Sequence, residues 1–142
     1  MKTYNTKEKD IIKKWYIIDA TDKVLGRLST KVAGLLIGKG KTIYAPNLEI
    51  GDHVVIINAA KVKLTGKKLI QKTSFSYSGY PGGARFLKYD RLMVEKPDWV
   101  VKKAIKGMLP HTKLGDKMLT RLRVYKGSEH GQASQKLERI EL

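Results

Sequence analysis

The residues Gly38-Lys39-Gly40-Lys41-Thr42 hold the spacing in this chain that looks most like chemistry, because a Gly-Lys-Thr closing a glycine-rich loop can cradle nucleotide phosphates. Such a loop needs a glycine five residues earlier, so that successive backbone amides wrap the phosphates; that position is Leu35. It must also follow a strand and open a helix. Here the segment follows a helical pattern and leads into Ile43-Tyr44-Ala45-Pro46, which starts a helix poorly. The nucleotide loop is excluded. A basic turn that approaches a phosphate backbone is the better reading, with a solvated helix end as the plain alternative.

Other candidates for chemistry are weaker. His53, His111 and His130 lie far apart and have no partner at metal-ligand spacing. His53 opens a strand, where a structural histidine is expected. Asp19, Asp22 and Asp52 sit near predicted strand ends, where an α/β enzyme can place acids, but capping and turn formation account for all three. No nucleophile-elbow sequence supports a Ser-His-Asp set. With no cysteine there is no disulfide, no thiolate zinc site and no thiol nucleophile, and a reducing compartment fits. The residues point to no enzyme, no metal and no cofactor.

Charge points elsewhere. Lys and Arg number 29 against 13 Asp and Glu, a formal charge of +16 spread from Lys2 to Arg139. Charge of that size repels itself unless a polyanion is near. A membrane surface would call for a basic amphipathic helix with large apolar residues, and none is strong here. The first residues are polar, and apolar runs such as residues 54–57 are far too short to cross a bilayer. Nucleic acid in the cytoplasm is the expected setting, with no membrane partner.

Residues 74–88 add a second signal. Phe75, Tyr77, Tyr80, Phe86 and Tyr89 interleave with Lys72, Arg85 and Lys88 around the loop Ser78-Gly79-Tyr80-Pro81-Gly82-Gly83. Rings stack on unpaired bases, and glycines let a backbone come close to RNA. Phe75 and Phe86 are expected in the core, Tyr80 and Arg85 at the RNA. The pair Lys67-Lys68, in a basic turn, is read as an RNA contact over simple solvated charge.

These residues need a frame. Trp15-Tyr16-Ile17-Ile18 reads as a strand, with Thr21 or Asp22 placed to cap a helix whose Leu25, Leu28, Val32, Leu35 and Leu36 recur at helical spacing. Arg27 and Lys31 fall four apart on another face, and Gly38 to Gly40 end the helix. Residues 53–58 read as the clearest strand, and its apolar residues, 54–57, are consecutive, as in a central strand covered on both faces. A short helix over 59–64, an edge strand within 68–77, a helix from Pro97 turning Val100, Val101, Ala104, Ile105 and Met108 inward, a further helical stretch through Leu114 and Met118, and a last strand over 122–125 follow. Alternating strands and helices predict an α/β domain with a parallel sheet. Residues 1–142 read as one RNA-binding domain, with 1–14 an N-terminal extension and 127–142 a weakly structured tail.

The ordered phrases resemble the bacterial large-subunit ribosomal protein thirteen family. Residues 22–41 (DKVLGRLSTKVAGLLIGKGK) are similar to its first helix and basic turn. The likeness continues through Tyr44-Ala45-Pro46, residues 51–59, Leu64-Thr65-Gly66-Lys67-Lys68, residues 78–83, Gly107-Met108-Leu109-Pro110, Leu114-Gly115, residues 124–127 and Glu129-His130. Two stretches depart from the family pattern: Ser74-Phe75-Ser76-Tyr77, and residues 131–136 after His130. The resemblance implies a three-layer α/β/α fold on a four-stranded parallel sheet ordered 3-2-1-4. It also implies a structural role in the large subunit, binding to its ribosomal RNA beside neighbouring ribosomal proteins, and action early in assembly.

The expected RNA contacts are Arg27, Lys31, Lys39, Lys41, Lys67, Lys68, Tyr80, Arg85, Lys106, Lys113, Arg121 and Arg123. Cations fixed by a rigid sheet would neutralise phosphates where RNA helices crowd together. Messenger RNA is a further candidate partner, since it would use the same surface.

Overall fold

The computed structural model describes residues 5–141. Along the chain, β1 (Trp15–Asp19) leads to α1 (Leu25–Ile37) and β2 (His53–Ile57). A short α2 (Lys68–Gln71) precedes the hairpin strands β3 (Thr73–Tyr77) and β4 (Ala84–Lys88). Three helices, α3 (Tyr89–Glu95), α4 (Pro97–Lys106) and α5 (Lys113–Thr120), come before β5 (Leu122–Val124) and β6 (Leu137–Ile140). The class is α/β: a parallel sheet in the order β5-β2-β1-β6, flanked by helices. Counted along the chain among the sheet's own strands, that order is 3-2-1-4.

The β2 strand is central, and Val54, Val55 and Ile56 are all fully buried, as their consecutive apolar run requires. The side chains of Ile18, Val54, Ile56 and Leu122 share one core with Leu28, Val32 and Leu36 of α1, Val101 and Ile105 of α4, and Met118 of α5. The 3.6-residue period of α1 thus buries one stripe and leaves Arg27 and Lys31 on the exposed side.

Helix α1 starts differently from expectation. Its N-cap is Val24, with no side-chain cap. Thr21 instead donates from both its N–H and its hydroxyl to Asp19 Oδ1, at 3.0 and 2.7 Å, and Asp22 pairs with Lys63. The first helical N–H, of Leu25, donates to the carbonyl of Lys63, so a backbone partner does the work of a cap. The other end follows expectation, with Gly38 in the left-handed region at φ 82°. Gly51 packs so closely beneath α1 that a Cβ there would overlap the carbonyl oxygen of Leu36.

The segment 68–77 is not an edge of the main sheet. It forms α2 and β3, and β3 pairs only with β4, antiparallel, in a separate two-stranded sheet. Phe75 and Phe86, expected in the core, are 57% and 68% exposed, because Ser74 takes the buried position of β3 and alternation turns Phe75 outward. Met108, expected inward, lies beyond the end of α4 and is exposed. In place of a helix, residues 59–64 hold a 3-10 turn, Ala59–Lys61, and a single bridge residue, Lys63, paired in parallel with Val24.

The tail is more ordered than its polarity predicts, since β6 pairs with β1 from Leu137 to Ile140. Within the N-terminal extension, residues 1–4 lie outside the described residues, but the rest is tied down. Lys14 N–H donates to Asp52 Oδ1 at 2.9 Å, and Thr6 Oγ1 donates to the carbonyl of Ile43 at 3.0 Å.

Candidate nucleic-acid interface

Four of the expected contacts meet in one place. A cleft of about 630 Å³ runs along the exposed side of α1 and over the turn after it, lined by Arg27, Lys31, Lys39 and Lys41 with Tyr16 and Thr30. Arg27 and Lys31 come one helical turn apart on α1; Lys39 follows the left-handed Gly38. Among the described residues Arg27, Lys31 and Lys39 are exposed and make no ion pair, so their charge is open to a ligand.

Lys41 has a different task. Its ammonium lies 2.6 Å from Asp52 Oδ1 and also donates to the carbonyls of Ile12 and Ile50, at 2.8 and 2.9 Å. All three of its donors are used, so Lys41 forms the floor of the cleft and neutralises the buried Asp52 carboxylate there.

Arg121, expected at the RNA surface, is corrected: it is only 5% exposed. Its guanidinium donates to the carbonyls of Gly51 and Leu36, and Nε lies 3.3 Å from Glu49 Oε1. Burial pushes its pKa down, but the planar fork keeps its charge and ties the end of α1 to the segment before β2. Together Arg121, Asp52 and Lys41 hold the turn that carries Lys39.

A second cleft, about 560 Å³, is lined by Lys63, Lys68, Lys72 and Lys103 beside Phe75 and Met108. Thr30 Oγ1 of the first cleft lies 3.6 Å from Met108 Sδ of the second, so the two adjoin across α1. Lys63 and Lys103 escaped the sequence reading, and Lys72 was noted beside the hairpin's aromatic residues without being counted among the expected contacts. Their signal was weak, since they are scattered single lysines that only the folding of the hairpin against α4 brings together.

The remaining expected contacts are dispersed. Lys67 precedes α2, and Tyr80 and Arg85 belong to the hairpin, Tyr80 at its tip and 75% exposed. Lys106 lines a small hollow with His111, and Lys113 opens α5. Arg123 alternates with buried Leu122 and so faces away from the helical core.

No candidate for catalysis emerges from the titrating groups. His53 stacks flat on Trp15, centroids 4.2 Å apart, and burial with nearby Arg121 lowers its pKa, favouring neutral imidazole. Asp19 accepts from Asn58 Nδ2 and from Thr21, which holds its carboxyl down at about 2. Both are structural partners. Among the described residues no group of His, Asp or Glu is arranged to hold a metal ion, and no helix is long and apolar enough to cross a membrane.

The basic clefts can be set beside known proteins. The family model described as Ribosomal protein L13 matches residues 13–131. The "Large ribosomal subunit protein uL13" of Finegoldia magna is 53% identical over 142 residues, covering 100% of this chain and 99% of that one. Those of Syntrophomonas wolfei and Streptomyces coelicolor are 51% and 50% identical over 142 residues, covering 99% and 97% of their own lengths. The phrases that carried the resemblance, from Asp22 just before α1 to His130 beyond β5, fall within the matched residues, and the chain belongs to the ribosomal protein L13 family.

Proposed function

We propose that this chain is a structural constituent of the large ribosomal subunit, in the cytoplasm, and that it anchors the subunit's ribosomal RNA early in assembly without catalysing a reaction. The observation that carries the reading is the cleft on α1, where Arg27, Lys31 and Lys39 stand open over a floor already neutralised by the Lys41–Asp52 pair. Cations that are free, close together and held on a rigid helix suit a phosphate backbone, which needs charge at fixed positions and no chemistry. Lys67, Lys68, Tyr80, Arg85, Lys106, Lys113 and Arg123 extend the contact to other faces, as a protein wedged between several RNA helices and neighbouring ribosomal proteins requires.

The test is binding of a large-subunit RNA fragment against unrelated RNA of equal length, with sedimentation of the protein from cell extract. Selective binding with a log-log salt slope of about −6, for roughly eight neutralised phosphates, is expected, together with co-sedimentation with large subunits. Equal binding to both RNAs, or sedimentation with free messenger RNA, would overturn the reading.

A further inference from the structure

The hairpin β3–β4 presents its apolar face to solvent. Cross-strand register puts Thr73, Phe75 and Tyr77 on one face with Lys88, Phe86 and Ala84, and Ser74 and Ser76 on the other with Leu87 and Arg85. The serine face is anchored to the body, because buried Ser74 accepts a hydrogen bond from Lys103 Nζ. Phe75, Tyr77 and Phe86 are each more than half exposed, and the two phenylalanine rings tilt against each other with centroids 5.1 Å apart. Three rings displayed on an isolated two-stranded sheet are unfavourable in water, and a patch of this kind marks a binding surface.

Charge identifies the occupant. From residue 59 to residue 88 there are seven Lys or Arg and no Asp or Glu. An apolar protein segment seated there would desolvate those lysines without pairing them, which is costly. The cleft beside Phe75 continues the surface with Lys68 and Lys72 on its wall. A face of rings beside a cleft of cations matches a polymer that carries both flat bases and phosphates.

We infer that the outward face of β3–β4, formed by Phe75, Tyr77 and Phe86, is a stacking platform for unpaired bases of single-stranded RNA, whose phosphates follow Lys68 and Lys72 into the adjoining cleft. The inference rests on the RNA-scaffold reading but assigns a different task to a different surface: the α1 cleft grips backbone, and the hairpin holds bases.

The test uses the full chain and three RNAs: a single-stranded oligoadenylate of six nucleotides, a blunt duplex, and a large-subunit RNA fragment. Phe75→Ala with Phe86→Ala should weaken single-strand binding by about 5- to 150-fold for each stacked base lost, with the salt slope unchanged. Duplex binding should stay at the parental level. Phe75→Tyr with Phe86→Tyr, which keeps both rings, should bind the single strand like the parent. Tyr77→Ala leaves the phenylalanine pair intact and reads the same platform should the double alanine variant melt. Parental single-strand affinity in folded Tyr77→Ala and in the double alanine variant would overturn the inference, as would an equal loss on duplex. If the parent itself fails to select the large-subunit fragment, the RNA-scaffold reading falls instead.

Discussion

Strand β2 of the parallel sheet and strand β3 of the hairpin are each five residues long and carry large apolar side chains, yet they bury them in opposite ways. In β2, Val54, Val55 and Ile56 are fully enclosed: strands lie on either side, and Val54 and Ile56 pack into the core shared with the helices. In β3 the single buried residue is a serine, and its phenylalanine and tyrosine stand outside. The contrast shows that aromatic content alone does not locate a core. What matters is whether a second layer exists for the apolar face to meet, and the β3–β4 pair has none on that side.

The contrast can be broken most forcefully at Ile56. Removing its side chain should destabilise the fold by about 2–5 kcal/mol, since a central strand cannot collapse around the cavity. Phe75→Ala removes a larger side chain, but it should cost only about 0.5–1.5 kcal/mol, the worth of one aromatic pair. Denaturant melts of the two variants decide the matter, and equal losses would mean that the hairpin rings are core after all.

Arg121→Ala probes the join between the regions. Its loss leaves the carbonyls of Gly51 and Leu36 without their donor, an effect of about 1–3 kcal/mol seen in thermal melts. An RNA-contacting arginine on the surface would instead leave stability within about ±0.5 kcal/mol and change only binding. The melt therefore sharpens the distinction between a cation that holds the cleft and one that lines it.

A smaller effect is expected from acid. The Asp19 carboxyl has a folded pKa of about 2, below its ordinary value of 3.8, because Asn58 and Thr21 hydrogen-bond to the charged form. A depressed folded pKa stabilises the protein above the unfolded value, and that stability is lost as pH falls through the folded one. Stability should decline between about pH 4 and pH 2, and Asp19→Asn should show a flatter profile over that window. An identical profile in the variant would show that the cluster at the end of β1 does not couple to folding.

The parts of the fold legible in the sequence are those where local pattern and tertiary demand agree. The period of Leu25, Leu28, Val32 and Leu36, the consecutive apolar run of β2, and the left-handed Gly38 each had one structural solution. The candidate site was legible in part: Arg27 and Lys31 share a helix face, and Lys39 follows the turn that ends it. Long-range pairing was not legible. Nothing local distinguishes Arg121, which faces carbonyls, from Arg123, which faces outward, because their difference lies in what packs against β5. Likewise β6 lies in a polar tail and is a strand because the edge of β1 is open to it. Polarity forecast only a weakly structured tail there; pairing to the open edge of β1 makes part of it a strand.

On the proposed function, exposed cations on α1 and its following turn grip phosphates while the buried ones only hold the turn in place. Lys31→Ala with Lys39→Ala, compared with the parent on a large-subunit RNA fragment over a series of salt concentrations, tests it most directly. Unchanged melting, weaker binding and a log-log slope shallower by about 0.7–0.9 for each lysine removed are expected. An unchanged slope with parental affinity would contradict it and place the RNA surface elsewhere on the molecule.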